Sequence, residues 1–158
     1  MSRSGKVTVV GAGFYGSTTA LRLAEYDVFE TVVLTDILEG KSEGLALDIN
    51  QSRSIENFET KVIGATTTAE GGGYEKTANS DVVIAAMGSA QFIKPEMVKK
   101  GSVLVDVGIT RDGNQLVGDF DPKVIEAASA FAPMPGGVGP MTRVMLLKNV
   151  IELARNEK

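Results

Sequence analysis

The chain contains neither cysteine nor histidine. Without cysteine there can be no disulfide, thiolate nucleophile or sulfur-ligated metal, and a reducing cytoplasm is the expected location. Without histidine the usual general base near neutral pH is missing, so acid or base work would fall on Asp, Glu, Lys or Tyr. No stretch reaches the ~20 apolar residues of a membrane span, and Met1 to Lys6 is too short for a signal peptide, so no membrane partner is expected. A concentrated basic surface is also lacking: 16 Lys and Arg against 20 Asp and Glu leave a net charge of −4, which argues against a nucleic-acid partner. What remains is 158 residues, 43% hydrophobic and 23% charged, the size and composition of one folded domain spanning 1–158.

Strands and helices alternate along the chain. Lys6 to Val10 is a short β-branched strand ending at Gly11, and Phe14 to Glu25 reads as a helix with Ala20, Leu21, Leu23 and Ala24 on its apolar side. Thr31 to Thr35 is a second apolar run without alternation, the pattern of a strand buried on both faces. A helix over Ser42 to Ser52 and strands at Lys61 to Ala65, Asp81 to Ala86, Ser102 to Asp106 and Ala130 to Ala132 follow. The glycines Gly71, Gly72 and Gly73 read as a connector, and short helical segments are expected around Pro95 to Val98 and over Pro122 to Ala127. Pro140 opens a last helix reaching about Asn156. Right-handed crossovers then give an α/β fold of the Rossmann type: a doubly wound parallel six-stranded sheet in the order 3-2-1-4-5-6, in a single domain.

Gly11, Gly13 and Gly16 form a G-x-G-x-x-G pattern, weak alone but here placed after a buried strand and at the opening of a helix. Asp36 stands 20 residues after Gly16, at the end of the next strand. In that context each residue has its own physical task. Gly11 permits the tight turn, Gly13 lets backbone approach a pyrophosphate, Gly16 lets helix and strand pack closely, and Asp36 can accept hydrogen bonds from ribose hydroxyls. The same carboxylate would repel a 2′-phosphate, and Ile37, Leu38 and Glu39 supply no cation next to it, so NAD is expected over NADP.

Two resemblances share the chain. Through VTVVGAGFYGSTTALRLA, VVLTDILEGKSEGLALDI and YEKTANSDVV, residues 1–81 resemble the N-terminal half of the malate and lactate dehydrogenase family. Through DVVIAAMG, FIKPEMVKKGSVLVDVGIT, LVGDFD and PMPGGVGPMTRVMLLKN, residues 82–158 resemble the second half of the NAD(P)-binding domain of the methylenetetrahydrofolate dehydrogenase/cyclohydrolase family. The first resemblance implies that Gly11, Gly13, Phe14, Tyr15, Gly16, Asp36 and Ile37 grip adenosine and pyrophosphate. The second implies that Ala86, Met87, Gly88, Gly108, Ile109 and Thr142 line the nicotinamide side, although Thr110 stands where that family commonly has Asn.

These resemblances imply an engineered chimera that binds NAD and catalyses nothing, with natural recombination as the alternative origin. The catalytic His and substrate arginines of the first family lie beyond the retained half, and the catalytic Lys of the second belongs to a separate N-terminal domain. A folded scaffold without cofactor and a weak residual oxidoreductase are the rival readings. Lys94 and Arg111 read as solvated surface charges, and Asp106, Asp119 and Asp121 as strand-end and turn residues rather than metal ligands. The last helix is apolar over a wider arc (Val144, Leu146, Leu147, Val150, Ile151, Leu153, Ala154) than one sheet face needs, which points to a homodimer through it.

Overall fold

The computed structural model describes residues 3–68 and 75–156. Its elements in chain order are β1 (Lys6–Val10), α1 (Phe14–Glu25), β2 (Thr31–Asp36), α2 (Lys41–Glu56), β3 (Lys61–Thr66), α3 (Glu75–Ala78), β4 (Val82–Ala85), β5 (Val103–Asp106), β6 (Thr110–Asp112), β7 (Gln115–Val117), β8 (Ala130–Ala132) and α4 (Val138–Asn156). Six strands form one parallel sheet in the order β3-β2-β1-β4-β5-β8, the arrangement expected from the sequence. Because the strands are buried on both faces, they read as continuous apolar runs, and the register is even: Val7 and Val9 of β1 lie beside Val32 and Leu34 of β2. The glycine connector at 71–73 lies outside the described residues.

Each face of the sheet carries its own core. On one, α1 and α2 bring Ala20, Ala24, Ala46 and Ile49 against Val7, Val9, Val32 and Leu34. On the other, Ile93, Val98, Phe120 and Val124 pack on Val10, Val83, Ala85 and Leu104, with the Phe120 and Phe131 rings edge to face at 5.7 Å. Thr8 is fully buried, and its hydroxyl meets that of Ser80 at 2.7 Å, which satisfies both.

Several boundaries differ from the sequence expectation. α2 runs beyond Ser52 to Glu56 and stops where Asn57 adopts φ 58, its N–H donating to the Arg53 carbonyl. β6 and β7, where the sequence suggests only a polar loop, pair as a hairpin about Gly113 at φ 56; Asp-Gly between short strands was the available signal. Pro95–Met97 and Pro122–Glu126 are single 3₁₀ turns, so the crossovers of the second half are thin. α4 begins two residues before Pro140 and is exposed over 139–155 rather than laid on the sheet. Among the described residues no helix is long and apolar enough to cross a membrane, and no cluster of three or more acidic, His or Cys side chains could hold a metal.

Candidate functional site

In a doubly wound sheet the natural crevice lies at the carboxyl ends of the strands where the winding reverses, here between β1 and β4. A cleft of about 390 Å³ opens there, bordered by Val10, Gly11 and Gly13 at the end of β1, by Asp36, Ile37 and Leu38 at the end of β2, and by Ala86, Met87 and Ser89 after β4. Lys41, Thr67 and Phe92 complete its walls.

The three glycines are distinguished by what a Cβ would meet at each. At Gly16 it would fall 1.7 Å from the Gly11 carbonyl oxygen, so this residue lets α1 touch the β1 turn. Gly11 has φ +99, and a Cβ would lie 2.6 Å from the Ala86 carbonyl oxygen, so it draws the β1 and β4 ends together. At Gly13 a Cβ would meet nothing within 4 Å: the backbone faces open cleft. α1 starts there with no capping side chain and no acid in its first turn, so its N–H donors and positive dipole end are available to an anion.

Asp36 is held in place before any ligand arrives. Its Oδ2 accepts from the Ala12 N–H at 2.8 Å and from Lys41 Nζ at 3.2 Å, and its Oδ1 accepts from the Leu38 N–H at 3.0 Å. Burial works to raise its pKa, but the Leu38 and Ala12 N–H groups and the Lys41 ammonium outweigh that and hold it below the usual carboxylate range. With one donor on Oδ1, that oxygen keeps capacity for a hydroxyl donor.

A second carboxylate shapes the opposite wall. Asp119, fully buried, accepts N–H bonds from Met87 at 2.7 Å, Gly88 at 3.1 Å and Ser89 at 2.8 Å, and so sets the loop after β4. Asp106 in turn accepts from the N–H groups of Asp119 and Phe120. Burial pushes the Asp106 carboxyl above its ordinary range, and the nearby Asp119 charge adds to that. Sequence reasoning assigned Asp119 a turn role and missed this clamp, whose partners lie some 30 residues away; it also missed Lys41, Ser89, Thr67 and Phe92 as cleft residues.

The expected site residues are only partly assembled. Gly11, Gly13, Asp36, Ile37, Ala86 and Met87 border the cleft together. Gly16 supports it from beneath, and Gly88 holds the loop through Asp119. Phe14 and Tyr15 stand exposed at the start of α1. Gly108 packs on the Asp119 carboxylate, while Ile109 is exposed outside the cleft walls. Thr142 sits on α4 with its hydroxyl turned to the Val138 carbonyl. Lys94 pairs with Asp121 at 3.0 Å, leaving no base aimed at the cleft from that position, and Arg111 lies on the exposed hairpin.

Comparison with known proteins places this geometry. Residues 40–158 match the family model of the tetrahydrofolate dehydrogenase/cyclohydrolase NAD(P)-binding domain. The bifunctional protein FolD of Chlorobium phaeovibrioides is 53% identical over 83 residues, 48% of this chain and 28% of that protein. A malate dehydrogenase of Parabacteroides distasonis is 42% identical over 120 residues, 76% of this chain and 36% of that protein. The crystal structure of the bifunctional FolD methylenetetrahydrofolate dehydrogenase/cyclohydrolase of Campylobacter jejuni superposes with a TM-score of 0.63 at 26% identity, covering 99% of this chain and 45% of that one. The chain thus spans less than half the length of these relatives.

Both resemblances read from the sequence are supported, but one conclusion drawn from them is corrected. The relatives are enzymes, which overturns the reading as an engineered domain without catalytic function. The chain belongs to the tetrahydrofolate dehydrogenase/cyclohydrolase NAD(P)-binding domain family.

Proposed function

We propose that this chain is the dinucleotide-binding domain of an oxidoreductase of the methylenetetrahydrofolate dehydrogenase/cyclohydrolase class, and that NAD is its preferred cofactor. The observation that carries the reading is the cleft itself: an open Gly13 at the uncapped start of α1 and a prepositioned Asp36 both border a space of about 390 Å³. Pyrophosphate oxygens would take the first N–H groups of α1 beside Gly11 and Gly13, with Phe14 and Tyr15 flanking them. Ribose hydroxyls would donate to Asp36 Oδ1, with Ile37 alongside. Ala86, Met87 and Gly88 would meet the nicotinamide half, with Gly108, Ile109 and Thr142 as its outer boundary. When bound, the cofactor supplies hydride transfer; the protein's part is to orient it, and Asp119 does so indirectly by setting the 87–89 loop.

A second copy of the chain is the proposed partner of α4, and a reducing cytoplasm its proposed location. Isothermal titration of NAD into the protein tests the cofactor reading. Saturable binding is expected, abolished by Gly13→Trp, whose indole would fill the open space at that position. Absence of binding at millimolar NAD, or binding indifferent to Gly13→Trp, would overturn it.

A further inference from the structure

Two buried carboxylates stand behind the β4 side of the cleft, and among the described residues no cation pairs with either. Asp106 ends β5 and is 1% exposed, and Asp119, two residues after β7, is fully buried. Glycines make room for both: a Cβ at Gly118 would fall 1.9 Å from Asp106 Oδ2, and one at Gly108 would fall 2.1 Å from the Asp119 carboxylate. Residues 118–121 run beside 91–93, with the Gln91 N–H on the Gly118 carbonyl and the Ile93 N–H on the Asp119 carbonyl, both at 2.9 Å. The Asp119 side chain thus meets the bend that leaves β4, where its two oxygens take the N–H groups of all three residues 87–89. Asp106 fixes Asp119 in turn, its Oδ1 accepting the Asp119 N–H at 2.9 Å and its Oδ2 the Phe120 N–H at 3.2 Å. Met87 and Ser89, at the far end of this chain of bonds, border the cleft.

We infer that Asp106 is a positioning residue for the nicotinamide half of the dinucleotide, acting through Asp119 as a proton-sensitive latch: ionised, it holds the 87–89 loop in shape, and on taking up a proton it lets that loop loosen while the fold stands. The inference rests on the dinucleotide reading of the same cleft. An ionised carboxylate only accepts hydrogen bonds, whereas a protonated one carries an O–H donor. Both Asp106 oxygens already face N–H donors, so a proton on either sets donor against donor and frees the 119–120 backbone that aims Asp119. A loop that is not preformed must be ordered when ligand binds, which weakens binding. Among the described residues Asp119 is the charged group that faces Asp106: β4 and β8 carry no charged side chain, Lys94 is paired with Asp121 at 3.0 Å, and Arg111, Asp112, Lys123 and Glu126 are exposed. Burial and the Asp119 charge hold the Asp106 carboxyl above its ordinary 3.8. The stability this group contributes is then complete below 3.8 and is lost as pH rises through the folded-state value, so proton uptake favours the folded chain rather than unfolding it. Asp36, held below the usual carboxylate range, stays ionised over the same interval, so the adenosine end of the cleft keeps its charge.

Two measurements on the full chain from about pH 7.5 to about pH 5, where buried carboxyls with raised values titrate, test this: titration of NAD and of ADP-ribose, which lacks only the nicotinamide, and the amide resonances of residues 87–89 in the ligand-free protein. On acidification NAD is expected to weaken about tenfold and ADP-ribose by less than about threefold. The Met87, Gly88 and Ser89 amides should titrate with one midpoint while the melting transition stays cooperative. Asp106→Asn, an uncharged isostere, should bind NAD at the upper pH as weakly as the parent does at the lower one and lose most of the pH dependence. Equal weakening of both ligands, an NAD affinity that does not change with pH, or 87–89 amides that move only as the protein unfolds overturns the latch and leaves the dinucleotide reading intact. The parent measurements decide this whether or not Asp106→Asn folds. Failure of the parent to bind either ligand at the upper pH overturns the dinucleotide reading and the positioning role with it.

Discussion

Asp27 accepts more donors than a turn residue after a helix requires. Its carboxylate takes the N–H groups of Glu59 and Thr60, the Thr60 hydroxyl and the Arg3 guanidinium, and it sits at φ 51. Burial pushes its pKa upward, but these hydrogen bonds prevail and bring it down to about 2. A folded-state pKa below the unfolded value of 3.8 means stability that is complete above about pH 4 and is lost as pH falls toward 2. Asp27→Asn should therefore lower the thermal midpoint at pH 7 and flatten the decline of stability between pH 4 and 2, measured by thermal melts across that range; an unchanged slope would remove Asp27 from this role. Residue roles of this kind were legible only where partners are near in the chain. The glycine spacing and Asp36 could be read directly, whereas Asp27 with Thr60 and Asp119 with Met87 depend on which ends the fold brings together.

At the scale of elements, α1 is fastened to β1 by the absence of a side chain at one position and opened to the cleft by the same absence at another. Gly16→Ala would force a Cβ into the Gly11 carbonyl, lifting α1 or bending the turn, at a cost of about 1–3 kcal/mol or more. Gly13→Ala has free space and an ordinary negative φ of −75, so stability should hold within about 0.5 kcal/mol while dinucleotide affinity falls as the methyl enters the pyrophosphate path. Chemical denaturation and NAD titration on the two variants check this pair; equal loss of stability in both would show that Gly13 is a packing glycine. Element types followed from periodicity, because buried parallel strands and α1 carry strong apolar patterns. The hairpin and the full length of α2 did not, because three-residue strands carry too little pattern and Asn57 stops α2 through a left-handed backbone that no apolar repeat signals.

For the whole molecule, α4 and the β5–β8 end of the sheet are two uncovered surfaces of one chain. Val144, Leu147, Val150 and Ile151 are each more than half exposed on α4, while Val103 and Ala130 are exposed on the sheet. One copy's helix lying across the other's sheet would cover both surfaces twice in a symmetric pair. Light scattering over a concentration series should show a dimer, and Ile151→Lys should shift it to monomer with little effect on the melting of the monomer, because the side chain has no core to leave. A parent that stays monomeric at high concentration would refute the exchange.

Some properties of this protein follow from composition and local order alone. The lack of Cys and His limits its chemistry, and the alternation of apolar strands with helices, joined to the glycine spacing, dictates a doubly wound sheet with an anion-ready turn, because those signals are carried by residues close in the chain. Tertiary structure decided what distance in the chain conceals. It hung the 87–89 loop on Asp119 and left α4 off the sheet. Each outcome depends on loop paths and strand order, which a local pattern does not encode.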